Sequence, residues 1–258
     1  MSLPLTGRRV LVTRASVQAG RLSAKLTELG AEAIEIPAIA IEPPESFEIL
    51  DAALRDLSRY QLLTLTSANA VAPLLERMQR AGVSIEALAA LRVAAIGPAT
   101  ARALREAGVR VDVIPEEYVA ESLLAALRED VAGQLVLVVR AAVARDVLPE
   151  GLRAQGAEVT VADAYRTVIP QSSIEMIRTL FAEGAPKLDA ATFTSASTVT
   201  NFLALLERAG LARPAGLRAV SIGPITSEAL RAAGWEPAVE AAPHDLDGLV
   251  EALVKVLA

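Results

Sequence analysis

Residues 91–108, LRVAAIGPATARALREAG, return at 217–234 as LRAVSIGPITSEALRAAG, with 11 of 18 positions identical at a spacing of 126. Each copy reads as a short apolar run, a Gly-Pro pair and an amphipathic stretch that ends in glycine. That is a buried strand leading into a helix with proline at its first position, where a missing N–H costs nothing. Working outward, 60–82 (YQLLTLTSANAVAPLLERMQRAG) matches 188–210 (LDAATFTSASTVTNFLALLERAG) at 9 of 23 positions with a spacing of 128. Residues 10–44 match 136–170 at 13 of 35 positions, again at 126. Three blocks in one order at nearly one spacing read as a tandem duplication of a unit of about 126 residues.

Within the first copy, Val10–Thr13, Leu62–Thr66, Val93–Ile96 and Val109–Ile114 are short apolar runs suited to buried parallel strands. Leu22, Leu26 and Leu29 recur at helical spacing, as do Val71, Leu74, Leu75 and Met78, and a further helix is expected around Glu121–Arg128. Gly30, Gly82 and Gly108 stand where helices should stop. The second copy repeats the strands at Val136–Val139, Ala190–Thr194, Ala219–Ile222 and Glu236–Val239. Alternation of this kind predicts α/β architecture, with parallel sheets covered by helices on both faces. Ala33–Pro43 and Val159–Ile169 are β-prone stretches of 11 residues, against a usual strand of about 5–6. Either each crosses from one sheet to the other, which makes the domains discontinuous, or the chain forms two sequential domains. The pattern alone leaves both open.

Composition removes several kinds of chemistry. Among 258 residues there is no cysteine and one histidine, His244. Disulfides, thiolate-bound zinc or iron–sulfur sites and histidine-dependent nucleophile triads are therefore not expected. A net charge of −6 argues against binding duplex nucleic acid. No apolar run approaches the roughly 20 residues of a membrane span. The first residues carry Arg8, Arg9 and Arg14 around too short an apolar stretch for a signal peptide. Neither of the glycine-rich motifs that cradle nucleoside phosphates is present. With 53% hydrophobic residues, the chain is expected to be a globular cytoplasmic protein without a zinc or iron–sulfur site.

In parallel α/β sheets, ligands bind at the carboxyl ends of the strands. The polar signatures fall there: Thr66, Ser67 and Asn69, Gly97 and Thr100, and in the second copy Ser195, Ser197, Gly223 and Thr226. Arg14 and Arg140 end equivalent strands, and Arg166 is a third cation with bidentate reach to a carboxylate. Each hydroxyl can equally be an ordinary helix cap, and each arginine a surface ion-pair partner. Taken together, helix N-termini that share an edge suit a ligand with several negative charges. Tyr165 sits in the second over-long stretch and is either a site phenol or a partly buried strand residue. His244 reads as a surface residue before the last helix.

Several segments together resemble the uroporphyrinogen-III synthase family over essentially the whole chain. They are Val10–Arg14 with Gly30-Ala31, Leu65–Val71, Ile96–Thr100, Ala164–Thr167, Phe193–Ser195 and Ile222–Thr226. The resemblance implies two flavodoxin-like parallel-sheet domains joined by a two-stranded antiparallel β-ladder. Their expected extents are 1–37 plus 171–258 for the first and 42–166 for the second, with linker strands 38–41 and 167–170. It implies a monomeric enzyme that closes hydroxymethylbilane, a linear tetrapyrrole, to uroporphyrinogen III with inversion of ring D and loss of water. By the same resemblance Tyr165 assists departure of the hydroxyl, Thr100 and Thr226 face the substrate, and Ser67 and Ser195 contact its carboxylates. No cofactor is implied, and a transient handover of substrate from hydroxymethylbilane synthase would fit. The rival reading is a two-domain protein that binds a tetrapyrrole or another organic polyanion without chemistry.

Overall fold

Glycine and proline set the ends of the elements, and apolar runs set their faces. The computed structural model describes residues 3–13, 16–128 and 131–258, without the side chains of 16–19. The chain divides into two units, Met1–Ala40 with Val168–Ala258, and Ile41–Thr167.

In chain order, the first segment gives β1 (Arg9–Val12), α1 (Ser16–Glu28) and β2 (Glu32–Glu35). Next come β3 (Ala40–Glu42), α2 (Glu48–Arg55), β4 (Leu62–Leu65), α3 (Val71–Arg80), β5 (Arg92–Ala95), α4 (Pro98–Glu106) and α5 (Ala120–Leu127). They are followed by β6 (Leu135–Ala141), α6 (Val147–Ala154) and β7 (Glu158–Val168). The last segment holds α7 (Gln171–Leu180), β8 (Ala190–Phe193), α8 (Ala196–Ala209), β9 (Arg218–Ser221), α9 (Pro224–Ala232), β10 (Val239–Glu240) and α10 (Leu246–Leu257).

The first unit holds a five-stranded sheet of order β10-β9-β8-β1-β2, its pairs all parallel. Leu11 faces one side, with Ile174, Phe193, Phe202 and Trp235, while Val10 and Val12 face the other, with Leu22, Leu26, Leu249 and Leu253. The Phe193 ring meets Phe202 and Trp235 edge-on at 5.7 and 5.3 Å. The second unit holds a sheet of order β3-β7-β6-β4-β5, with β4, β5, β6 and β7 parallel. Leu63 and Leu65 pack with Leu54, Val71 and Leu74, whereas Leu62 packs with Leu123, Leu127, Leu148 and Leu152. Both sheets are thus apolar on both faces, as a parallel sheet covered by helices requires.

Helix ends follow the sequence signals closely. Pro98 and Pro224 open α4 and α9 at the first position. Gly30 follows α1 with φ +91°; its N–H bonds Thr27 O, and Ala31 N–H bonds Leu26 O. These two bonds close the helix through a left-handed residue, which glycine adopts without steric cost.

Three expected strands differ. Ala33–Pro43 is not continuous: β2 ends at Glu35 and β3 begins at Ala40, because Pro37 has no N–H for a ladder. Its counterpart β7 is unbroken over 11 residues. Val109–Ile114 contributes only a single bridge, Ala94 to Val113. There the Asp112 carboxylate takes the Val93 N–H at 2.8 Å, so a side chain replaces a backbone partner. Glu236–Val239 shortens to β10 at Val239–Glu240, starting beyond Pro237.

Candidate functional site

In the second unit, β4, β5 and β6 end at one edge of the sheet, and six of the sequence candidates follow these strands or end them: Thr66, Ser67, Asn69, Gly97, Thr100 and Arg140. Thr66 and Arg140 line a pocket of about 240 Å³ together with Ile96, Tyr118, Arg145 and Pro149. The Arg140 side chain is 12% exposed and pairs with Asp146 at 2.8 Å. Its Nη1 donates to the Arg145 carbonyl at 3.2 Å, and its Nε is buried without a partner among the described residues. One guanidinium N–H is therefore desolvated and unsatisfied, a state that carries a free-energy cost unless a ligand accepts from it. Arg145 is anchored more loosely, 3.7 Å from Glu121.

Ser67 is occupied as a cap: its hydroxyl accepts the Asn69 N–H at 3.2 Å. Asn69 itself is exposed. Gly97 precedes α4 in extended conformation, and the Tyr118 side chain packs beside it, its Cβ 3.7 Å and its ring Cγ 3.8 Å from where a glycine Cβ would lie. Thr100, in the first turn of α4, is 4% exposed.

The first unit shows the corresponding edge. Ser195 caps α8 in a reciprocal pair with Thr198: Thr198 N–H donates to Ser195 Oγ at 3.2 Å, and Ser195 N–H to Thr198 Oγ1 at 3.1 Å. Ser197 Oγ lies 2.9 Å from Ser195 Oγ. Gly223 precedes α9 with His244 packed on it, 3.3 Å from a would-be Cβ. The His244 Nδ1 lies 2.8 Å from the Ala241 carbonyl, which can only accept, so Nδ1 carries the proton. Thr226 is 3% exposed. Arg14 lies outside the described residues.

Tyr165 stands elsewhere in the second unit. It pairs in register with Ala141, the residue after Arg140, so both are at the same end of the sheet. Its ring joins the α2 and α3 side of the core, whereas Arg140 lies with Val138 and Leu148 toward α6. Tyr165 is 6% exposed, and it lines a separate pocket of about 400 Å³ with Ile41, Phe47, Pro73 and Arg77. Among the described residues, Asp51 holds Arg77 in a two-pronged pair that raises the guanidinium further above its ordinary range. Arg77 also lies 4.7 Å over the Phe47 ring. Arg166 reaches Glu42 at 3.2 Å and Glu45 at 3.9 Å, with its Nε buried and without a partner among the described residues.

A sequence model described as uroporphyrinogen-III synthase HemD matches residues 20–251. The chain belongs to the uroporphyrinogen-III synthase family. A uroporphyrinogen-III synthase of Synechococcus elongatus is 35% identical over 97% of this chain and 96% of its own length. Among solved structures, a uroporphyrinogen III synthase of Thermus thermophilus superposes with a TM-score of 0.65 at 22% identity, covering 97% of this chain and 99% of that one. A uroporphyrinogen-III synthetase of Helicobacter pylori gives 0.57 at 20% identity, covering 96% and 99%. At these identities the two structures speak for the fold.

Family membership gives the placement of the residues its meaning. The structure brings Thr66 and Arg140 into one pocket and puts Tyr165 in another on the opposite face of the same sheet. Ser67 and Ser195 cap helical turns. Sequence reasoning missed Tyr118, which lines the Arg140 pocket and is 60% exposed. One signal for Tyr118 was available: it lies 126 residues before His244, and both rings cover the glycine that opens a helix. Among the described residues, no cluster of acidic or imidazole groups could hold a metal ion, and no helix is long and apolar enough to cross a membrane.

Proposed function

We propose that this protein is a uroporphyrinogen-III synthase, which closes hydroxymethylbilane to uroporphyrinogen III with inversion of ring D and release of water. The observation that carries this reading is the 35% identity to the Synechococcus synthase over nearly the full length of both chains. The site chemistry agrees with it. Left to itself, the bilane closes without inversion to the type I isomer, so the catalyst must hold ring D for attack through its substituted carbon. Orientation of this kind can supply several kcal/mol, and a substrate with many carboxylates offers many handles.

Arg140 is the strongest of these anchors in our reading, because a carboxylate would satisfy its buried Nε. Thr66, Ser67, Asn69, Gly97 and Thr100 would bind further carboxylates at the edge of the second unit, and Ser195, Ser197, Gly223 and Thr226, with Arg14, at that of the first. In each case helix N-termini contribute free N–H groups and partial positive charge. Tyr165 donates a hydrogen bond to the departing hydroxyl as its C–O bond breaks. Ring closure forms a C–C bond and displaces a proton from a pyrrole carbon, and hydroxyl and proton together make the water released. The near match in element order between residues 9–127 and 135–257, with β2 and β3 in place of β7 and a single bridge at Val113 in place of β10, supports a tandem duplication. We further read the two domains as 1–37 plus 171–258 and 42–166, flavodoxin-like and linked by antiparallel strands 38–41 and 167–170. The enzyme would work in the cytoplasm as a monomer that receives its substrate from hydroxymethylbilane synthase.

The test is to generate hydroxymethylbilane in situ, add the protein, oxidise the products and separate the porphyrin isomers. Predominantly type III is expected. Predominantly type I, as in a blank, would leave a protein that binds a tetrapyrrole or another polyanion without catalysis.

A further inference from the structure

The two units treat the same three positions in opposite ways. In the second unit, Ala95 at the end of β5, Ala101 in α4 and Ile114 belong to one apolar cluster. The positions 126 residues later are Ser221, Ser227 and Glu240. Ser221 Oγ lies 2.6 Å from Ser227 Oγ, and Ser227 Oγ lies 2.5 Å from Glu240 Oε2. Both serines are fully buried and Glu240 is half-buried. The direction of the hydrogen bonds follows from the groups themselves. An ionised carboxylate only accepts, so Ser227 donates to Glu240 and its oxygen accepts from Ser221.

This network ties the end of β9, the first turn of α9 and β10 together at Ser227, whose N–H also bonds the Gly223 carbonyl at 3.0 Å. We infer that Ser221, Ser227 and Glu240 are positioning residues, which hold the first turn of α9, and with it Gly223 and Thr226, in register for a substrate carboxylate. A hydrogen bond to a charged acceptor is short and directional, whereas apolar packing fixes a turn only through shape. Among the described residues none of the three side chains has another hydrogen-bond partner, so the network has no second task to explain it. The inference rests on the functional reading above.

The second unit supplies the matched replacement. The variant S221A/S227A/E240I installs the apolar set that the fold already accepts at the equivalent place. It is expected to unfold cooperatively with a melting temperature at or above that of the parent, since apolar groups of suitable volume often replace buried polar networks without loss. Its KM for hydroxymethylbilane should nevertheless rise at least fivefold with kcat within twofold. Amide hydrogen exchange in 222–228 should quicken about tenfold, with 96–102 unchanged. Glu240→Gln keeps an acceptor oxygen for Ser227 and should stay within about twofold of the parent in KM, which a purely apolar role for the position would not give.

A triple variant with parental KM would overturn the inference, as would unchanged exchange at 222–228. If the triple variant fails to fold, Ser227→Ala, read by the same KM and exchange measurements, decides the matter. A parent that makes no type III isomer sinks the functional reading instead. Exchange at 222–228 then still shows whether the network holds the turn.

Discussion

At Gly248, in the first turn of α10, an added Cβ would lie 2.0 Å from the Pro243 carbonyl oxygen and 2.9 Å from its carbon. Neither is the mobile end of a side chain, so the backbone itself must give way. Gly248→Ala should therefore cost about 1–3 kcal/mol in urea unfolding. At Gly97 the same methyl would meet Tyr118 at 3.7 Å, an ordinary contact, and stability should stay within about 0.5 kcal/mol of the parent. Tyr165→Phe separates chemistry from folding in the same way. The phenol hydroxyl has no hydrogen-bond partner among the described residues, so its loss should leave the unfolding midpoint nearly unchanged. Turnover should drop about 10²-fold, the lower end for a positioned proton donor, with little change in KM. Unchanged turnover would remove Tyr165 from the mechanism.

Among the elements, α8 carries the fullest cap. Ser195 and Thr198 satisfy each other's backbone N–H groups, and Ser195→Ala should lose about 1 kcal/mol of unfolding free energy. Ser67 caps only the three-residue turn Ala68–Ala70, so the same change there should cost less; denaturant titration of the two variants side by side checks the order. Caps, Gly-Pro starts and terminal glycines act through near neighbours in the chain, which is why most helices could be read from sequence. Buried strands such as Leu62–Leu65 were equally legible, because apolar runs bounded by polar turns carry their own boundaries. The break at Pro37 and the intrusion of Asp112 were harder to see. Each depends on whether a particular backbone N–H is available to a neighbouring strand. For the site, sequence placed its candidates at strand ends but carried no signal for the face of the sheet, and the structure puts Arg140 and Tyr165 on opposite faces. The network of Ser221, Ser227 and Glu240 joins residues up to 19 apart, and no local pattern announces it.

For the molecule as a whole, pH should act mildly through surface carboxylates. Arg9 hydrogen-bonds Glu32 at 2.8 Å and holds its carboxyl below the usual range. Lys25 does the same for Asp247. A depressed folded-state value means that this stabilisation is present above the ordinary glutamate range and is lost as pH falls through the depressed one. Glu32 is 58% exposed, so the contribution is screened to about 0.2–1 kcal/mol. Glu32→Gln should trail the parent by that amount in unfolding free energy at neutral pH, and the gap should close as the pH falls through the depressed value. The division of the chain has a consequence for its birth on the ribosome. Ile41–Thr167 is contiguous and can fold as soon as it emerges. The segment that precedes it cannot, because β1 lies in mid-sheet between β2 and β8, and β8 has yet to be translated. At roughly 5–20 residues per second, β1 and its apolar Val10, Leu11 and Val12 wait about 10–40 seconds without their central partner. During that interval the nascent chain offers a binding site to any chaperone that recognises short hydrophobic strands.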